Sequence, residues 1–316
     1  MPQTNCSNLT MADTVKLFQV IVFVPTLFFG LAFNGLALWV FCCKFKQWTE
    51  TRVYMLNLII SDCSLLFTFP FRLYAYNHPW NLGKGMCDTL LFIFFLNNYM
   101  SILIITMVAV DRYMAIKHPL KSKRWRSPAK AAGLCILAWL ILIAFRTYLL
   151  VHDSQQPTKR NSQSCFLRNF TRPKKRALYF TIFGFILPFI ILSFCSLQVI
   201  RTLRRNMHTS PDSATSVRKA IKVVAANLAI FVACFLPAHI GTLVRFGAES
   251  SPSAPCSLIQ AVHTYEHITL CLASLNCCLD AICYYFVAKE FWEASHLQLS
   301  LKSAQLPRNT TQDSSL

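Results

Sequence analysis

Three arginines stand inside long apolar stretches of the chain: Arg72, Arg146 and Arg245. A guanidinium group binds a carboxylate or a phosphate through two parallel hydrogen bonds. Each side chain could instead reach a membrane surface while its methylene groups stay among apolar atoms. Arg72 lies ten residues after Asp62, which is about 15 Å along a helix. If the apolar stretches cross a membrane, the three arginines lie at a similar depth near its outer side. The set therefore predicts a shared site for an anionic ligand.

Aromatic and polar side chains on the same segments could complete such a site. Phe94, Phe95 and Phe235 would hold an aromatic or acyl body. The polar candidates are Asn98, His239, His263, Glu266 and His267. The last three lie on one helical face, where either simple packing or a role in pH sensitivity would account for them.

The composition indicates a membrane protein. Of the 316 residues, 54% are hydrophobic and 14% charged, whereas soluble domains carry about 25% charged residues. The formal net charge of +18 would suit a nucleic-acid partner, but the Lys and Arg residues lie in short loops between apolar segments. Most of the 14 cysteines lie in apolar runs without zinc-type spacing to histidine. We therefore expect contact with membrane lipid, no nucleic-acid partner and no cofactor.

Seven segments are long and apolar enough to form transmembrane helices. They lie at about 18–43, 53–76, 88–116, 129–151, 177–201, 220–245 and 258–287. The seventh is the most polar, so its polar side chains should face the bundle interior. Loops rich in Lys and Arg mark the cytoplasmic side and place the N-terminus outside, without a cleavable signal peptide. The predicted parts are an extracellular N-terminus (1–17), a seven-helix domain (18–287), and a cytoplasmic helix and tail (288–316).

Two further features belong to the outer side. Asn5, Asn8 and Asn169 stand in N-x-Ser/Thr sequons and are predicted glycosylation sites. The outer segment 152–176 is rich in Lys and Arg. This segment either contacts lipid headgroups or steers an anionic ligand toward the bundle.

Short motifs at fixed places carry a resemblance to a known family. Asp111-Arg112-Tyr113 ends the third segment, and Cys87 lies about 37 Å away at the outer end of that helix. The remaining landmarks are Asn34, the run 57–62, Trp139, Pro188, the run 231–237 and the run 276–284. Together they resemble the rhodopsin-like (class A) G-protein-coupled receptors, an all-α fold of seven transmembrane helices.

At the cytoplasmic end, the resemblance implies a signal transducer and not an enzyme. Asp111 would hold Arg112 in the resting state. Arg112, with Tyr113 and Tyr284, would meet a heterotrimeric G protein of the inhibitory or Rho-activating class. Arrestin and receptor kinases would act on the Ser/Thr-containing tail.

The resemblance also implies crosslinks and an ion site. Cys87 would be bonded to Cys165 in an oxidising outer environment. Cys6 and Cys256 could form a second bridge, as in chemokine-type receptors. The residues of a sodium pocket would be Asp62, Ser101, Asn276 and Asp280. The alternative is a hydrogen-bonded Asp62 without a cation.

Several stretches narrow the resemblance, namely 38–43, 47–52, 276–285, 288–291 and 293–295. They look like the group of the orphan receptor proposed to sense kynurenic acid, beside lysophospholipid- and nucleotide-type receptors. This implies an acidic metabolite or lipid as ligand. Asn98 stands where an arginine of that group is expected, and Phe94 stands where amine receptors carry Asp. Phe235, Ser196 and Ala281 also depart from the family pattern and bear on the details of activation.

Other classes fit the sequence less well. A peptide or chemokine receptor of the same fold is the main alternative, although the N-terminus is short and has no acidic cluster. A transporter or channel predicts repeated halves or broken helices, and neither is visible. A membrane enzyme would be expected to carry a metal-protease, serine-hydrolase or phosphate-loop motif, and none occurs.

Overall fold

The computed structural model describes residues 12–44, 47–154, 165–166, 176–205, 211–251 and 253–281. Within these ranges the helices are α1 (Asp13–Trp39), α2 (Glu50–Asn77), α3 (Gly83–Lys117), α4 (Pro119–Trp125), α5 (Pro128–Ser154), α6 (Arg176–Thr181), α7 (Leu187–Arg205), α8 (Pro211–Ser250) and α9 (Cys256–Ala273). π-Helical turns at Val40–Lys44 and Ile182–Ile186 extend α1 and join α6 to α7. The chain is helical again at 276–281. The predicted sites at Asn5, Cys6, Asn8, Asn169 and Tyr284 lie outside the described residues.

Six helical segments within the described ranges are long and apolar enough to cross a membrane, and they match the first six predicted segments. α9 corresponds to the seventh, and its polar side chains reduce its mean hydropathy. Two of these, His263 and Glu266, are buried against other helices. By contrast, Leu137 and Leu140 of α5 are exposed, as side chains facing lipid should be.

α8 is longer than a membrane requires. Its 40 residues span about 60 Å, twice the roughly 30 Å hydrocarbon core. The helix therefore continues beyond the bilayer at the end opposite Ser250. We call the end of the bundle that carries the Cys87–Cys165 disulfide the outer end, and the end that carries Arg112 the inner end.

α3 packs against α2, α5 and α7 and so occupies the middle of the bundle. Polar contacts between other helices hold the bundle together around α3. Trp139 Nε1 of α5 donates to Asn57 Oδ1 of α2 at 3.2 Å. Asn34 Nδ2 of α1 donates to the Cys277 carbonyl at 2.9 Å. A polar side chain in a membrane helix needs such a partner, and these pairs set which helix faces turn inward.

Candidate functional site

Arg72 lies buried near the outer end of α2, inside a cage of three aromatic rings. Its guanidinium carbon is 5.0 Å from the centre of the Phe23 ring, 5.2 Å from Phe94 and 5.4 Å from Phe166. A cation over an aromatic face gains about 0.5–2 kcal/mol. Desolvation of a charge costs several kcal/mol. The rings therefore hold the guanidinium in place without neutralising it.

A chain of hydrogen bonds orients Arg72. Its Nε donates to Tyr76 Oη, one turn along α2, at 3.0 Å. The Tyr76 hydroxyl donates to the side-chain oxygen of Gln19 on α1. Gln19 Nε2 in turn donates to the His267 carbonyl of α9 at 3.0 Å. The network uses Nε of the guanidinium, so the two terminal nitrogens can serve a ligand.

Arg72 has no carboxylate within ion-pair distance among the residues that the structure describes. A buried charge without a counter-charge is unfavourable, and in a membrane bundle it marks a functional site. A bound carboxylate or phosphate would supply the missing charge and would accept hydrogen bonds from the terminal nitrogens. Arg72 is therefore the strongest candidate for contact with an anionic ligand.

Phe166 covers Arg72 from the outer loop. The adjacent Cys165 is bonded to Cys87 of α3, which confirms the predicted disulfide. Phe166 has a φ of 65°, a left-handed conformation that is uncommon for a bulky residue. Its ring packs edge-on against Trp80 at 5.9 Å. Such strained residues cluster at ligand clamps, so this geometry suits a fixed lid over the arginine.

Arg146 reaches α3 from a different side. Its guanidinium carbon is 5.5 Å from the centre of the Phe95 ring, whereas Arg72 contacts Phe94. Consecutive helical residues point about 100° apart. The Phe95 ring also packs against Phe180 at 5.0 Å. The structure therefore gives Arg146 an aromatic environment between α3, α5 and α6, and it does not bring Arg146 and Arg72 to one side of α3.

Arg245 is neutralised by two carboxylates. Its Nε lies 2.7 Å from Glu249 Oε1, one turn along α8, and its Nη1 donates to Glu266 of α9. His263 Nε2 lies 3.1 Å from the same Glu249 oxygen. We call these four residues the outer ion cluster. Because its charge is already compensated, Arg245 does not fit the predicted role of binding a ligand anion, and His263 and Glu266 fit a contact between helices better.

His239 and Asn98 are engaged with the backbone of their own helices. His239 Nδ1 lies 2.9 Å from the Phe235 carbonyl, and its ring stacks on Phe185 at 4.0 Å. Asn98 Nδ2 donates to the Phe94 carbonyl at 3.1 Å. Their predicted contacts with a ligand stay predictions.

At the inner end, Asp111 is held by Arg126, where the resemblance predicted Arg112. Arg126 Nε lies 2.7 Å from Asp111 Oδ1, and Nη2 lies 2.9 Å from Oδ2. Arg112 Nη2 donates to Thr51 Oγ1 of α2 at 3.3 Å. Tyr113, the third residue of the motif, packs its ring against Phe194 of α7 at 5.9 Å. The inner motif is thus tied to three other parts of the bundle.

A cavity of about 50 Å³ lies beside Arg112. Its polar wall includes Ser196 of α7, Asn227 of α8 and Asp280. The remaining lining side chains are apolar and come from α2, α3, α7 and α8. The inner ends of these helices therefore leave a small internal space beside Arg112.

Four buried oxygens among the described residues have no hydrogen-bond partner, and one of them is Asn34 Oδ1 of α1. The other three are Asp62 Oδ2, Ser101 Oγ and Asn276 Oδ1. All three belong to the predicted sodium set. Asn97 donates to the other Asp62 oxygen at 3.1 Å, and Asn276 Nδ2 donates to Asp280. Oxygen atoms with unused lone pairs are the ligands that a small hard cation prefers. The residues therefore fit a sodium ion.

Several of these residues were not found from the sequence, namely Gln19, Tyr76, Asn97, Arg126, Phe166 and Glu249. Two carried a usable signal. Gln19 is a polar residue within an apolar segment, which suggests an inward position. Glu249 follows Arg245 at the spacing of an ion pair on one helix face. The others depend on contacts between elements that sequence spacing does not define.

Comparison with known proteins agrees with this arrangement. The family described as "7 transmembrane receptor (rhodopsin family)" matches residues 33–284. The chain is 40% identical to G-protein coupled receptor 35 of Homo sapiens over 294 residues, which cover 93% of this chain and 91% of that protein. It is 33% identical to lysophosphatidic acid receptor 6 of Gallus gallus over 296 residues, covering 91% and 95% respectively. It is 30% identical to G-protein coupled receptor 55 of Mus musculus over 301 residues, covering 91% and 90%. The chain therefore belongs to the rhodopsin family of seven-transmembrane receptors.

Proposed function

We propose that this receptor is activated by a ligand that carries a carboxylate or phosphate group, and that Arg72 binds this group. The observation that carries the proposal is the buried Arg72 cation, caged by aromatic rings and without a carboxylate partner in the described part of the chain. The rings beside it, such as Phe94, suit an aromatic or acyl body.

Two ligand sources share this chemistry. One is a small acidic metabolite, and the other is a lysophospholipid. A relative named for lysophosphatidic acid, 33% identical to this chain, supports the second source. The separate positions of Arg72 and Arg146 favour a single main anchor over the predicted set of three arginines.

Dose–response curves for three probes test the proposal: oleoyl lysophosphatidic acid, an aromatic carboxylic acid and an aromatic amine. We expect one of the two acids to activate the receptor. Its potency should fall about tenfold or more in Arg72→Gln, because a charge-assisted hydrogen bond contributes roughly 1.5–3 kcal/mol. The identity of the better acid distinguishes the two sources. Activation by the amine alone, or full potency of the acid on Arg72→Gln, would overturn the proposal.

The chain is a multi-pass protein of the plasma membrane. For signal transfer we propose that the N-terminus lies outside and that a short cytoplasmic helix follows the seventh span. The inner end would then meet heterotrimeric G proteins of the inhibitory and Rho-activating classes through Arg112, Tyr113 and Tyr284. Arrestin and receptor kinases would act on the tail. The protein has no enzymatic role in this proposal.

We also propose that a sodium ion binds Asp62, Ser101, Asn276 and Asp280. The unpartnered oxygens of the first three residues support this site. A bound cation would balance buried carboxylate charge in the middle of the bundle. If so, replacing sodium with choline should raise agonist affinity in the wild type and leave Asp62→Asn unchanged. Equal sodium responses of both proteins would contradict the site.

A peptide or chemokine-type ligand is the second candidate, and one observation favours it. Cys256 at the start of α9 is disulfide-bonded. The predicted partner, Cys6, lies outside the described residues, so this pairing stays a prediction. A bridge from the N-terminus to α9 would suit a receptor that captures a peptide. Peptide mapping of the unreduced protein tests the pair. Cys6→Ser should then lose its response to a peptide agonist, and an unchanged response to acidic probes in the same variant would assign the N-terminus to peptide recognition.

A further inference from the structure

Asp111 and Arg126 form a two-point ion pair at the inner end. Arg126 lies between α4 and α5, and it donates from Nε and Nη2 to the two oxygens of Asp111, at 2.7 and 2.9 Å. The Asp111 side chain is 7% exposed and that of Arg126 is 27% exposed. A parallel pair of this kind is the strongest geometry between the two groups. Both oxygens of the Asp111 carboxylate therefore accept hydrogen bonds from Arg126, which lies in the connection between α4 and α5.

Arg126 also reaches the start of α2. Its Nη2 lies 3.4 Å from Glu50 Oε2, whose side chain is 16% exposed. The hydrogen bond to Asp111 raises the pKa of Arg126, so the guanidinium stays charged. One side chain thus links α3, α2 and the connection between α4 and α5.

Arg112 follows Asp111 but is directed to another partner. The Arg112 guanidinium donates from Nη2 to Thr51 Oγ1 of α2 at 3.3 Å. It also lines the inner cavity. Both Asp111 oxygens already accept from Arg126, so an approach by Arg112 would have to compete with a bidentate pair.

We propose that Arg126 is a positioning residue for G-protein coupling, which keeps Asp111 occupied and thereby keeps Arg112 directed toward α2 and the inner cavity. Removal of Arg126 leaves a buried carboxylate without its partner, and the one guanidinium that α3 itself carries is Arg112. Asp111 then holds Arg112, and coupling falls. This inference rests on the proposed role of Arg112 at the G-protein interface.

G-protein activation is measured in cells at matched surface expression for Arg126→Gln, with and without Asp111→Asn. We expect Arg126→Gln to lower agonist-independent and agonist-stimulated activation about tenfold, within the usual range of coupling between sites. Adding Asp111→Asn should restore most of the activity, because no carboxylate remains to hold Arg112. The matched control is Arg124→Gln, an exposed arginine of the same loop region, which should signal as wild type.

A merely structural role for Arg126 predicts a different result, with Arg126→Gln and Asp111→Asn losing activity additively. That outcome, or full activity of Arg126→Gln, overturns the inference. If Arg126→Gln does not reach the surface, Arg126→Lys takes its place, since a lysine cannot donate in the same two-point geometry. Arg112→Ala distinguishes the proposed role of Arg112 from the proposed role of Arg126. If it signals normally, the proposed role of Arg112 fails; if it is silent while Arg126→Gln is normal, only the present inference fails.

Discussion

Arg72 and Arg245 are buried to nearly the same extent, with 6% and 5% of each residue exposed. Their electrostatic surroundings differ completely. Arg245 is enclosed by Glu249 and Glu266, whereas Arg72 is enclosed by aromatic rings. Burial of an arginine in a membrane bundle therefore does not by itself mark a ligand site. The balance of charge around the guanidinium distinguishes a structural arginine from one that can bind an external anion.

The two surroundings also differ in what removal of the arginine would leave behind. Without Arg245, two buried carboxylates would face each other beside His263. Without Arg72, the side chains that contact it within the described residues would be aromatic rings and a hydrogen-bonded Tyr76–Gln19 pair, all of which are neutral. Substitutions can therefore separate a stability role from a binding role.

The largest effect is expected for Arg245→Ala. Removing one partner of a buried ion pair usually costs about 3–5 kcal/mol, so the free energy of unfolding should fall by about that amount. Arg72→Ala should change it by about 1 kcal/mol or less, because an uncompensated charge is removed together with its ring contacts. Thermal denaturation of the purified receptors measures both. Equal destabilisation by the two variants would remove the distinction between the arginines.

A smaller effect is expected when a substitution in the protein itself supplies a carboxylate near Arg72. Gln19→Glu has nearly the same shape and places a carboxylate on the chain Arg72–Tyr76–Gln19. At the effective dielectric constant of a protein site, this charge should weaken attraction for a ligand anion by about 1–2 kcal/mol. The potency of an acidic agonist should therefore fall about tenfold. Arg245 offers no equivalent test, because Glu249 and Glu266 already supply its counter-charge. Unchanged potency in Gln19→Glu would show that Arg72 is not the ligand anchor.

The aromatic cage should contribute less than the charge. Phe166→Ala removes one ring contact, worth about 0.5–1 kcal/mol at a partly exposed site, so acidic agonists should lose about threefold in potency. Phe28→Ala, a lipid-exposed phenylalanine of α1, is the matched control and should be neutral. If both substitutions have the same effect, Phe166 does not act as a lid.

The smallest effect concerns the basic outer segment 152–176, whose charges are read from the sequence alone. Charges at a rim alter association rates more than affinity, and salt screens them. Raising the ionic strength should slow association of an acidic ligand about twofold and leave dissociation unchanged. Stopped-flow or surface-based kinetics on the purified receptor measure this, and a change confined to dissociation would speak against steering.

The sequence predicted the class and the first six spans well, because segment length, loop charge and short motifs are local signals. The charge state of the arginines was not predictable in the same way. Three arginines at one level suggested one site, but Arg72 and Arg146 contact different sides of α3. Glu249 could have been found as the i+4 partner of Arg245. The pairing of Arg126 with Asp111 joins residues 15 positions apart across the end of α3 and the whole of α4, and helical spacing does not predict such a contact.

The most direct test of Arg72 as the ligand anchor is a double-substitution cycle, in which the charge of the ligand and the charge of residue 72 are each removed singly and together. The potency of the best acid from the probe panel is compared with that of its neutral primary amide, on wild type and on Arg72→Gln. We expect the wild type to prefer the acid by tenfold or more, and Arg72→Gln to respond to both compounds within about twofold. If Arg72→Gln keeps the full preference for the acid, the ligand anion binds elsewhere and Arg72 is not its anchor.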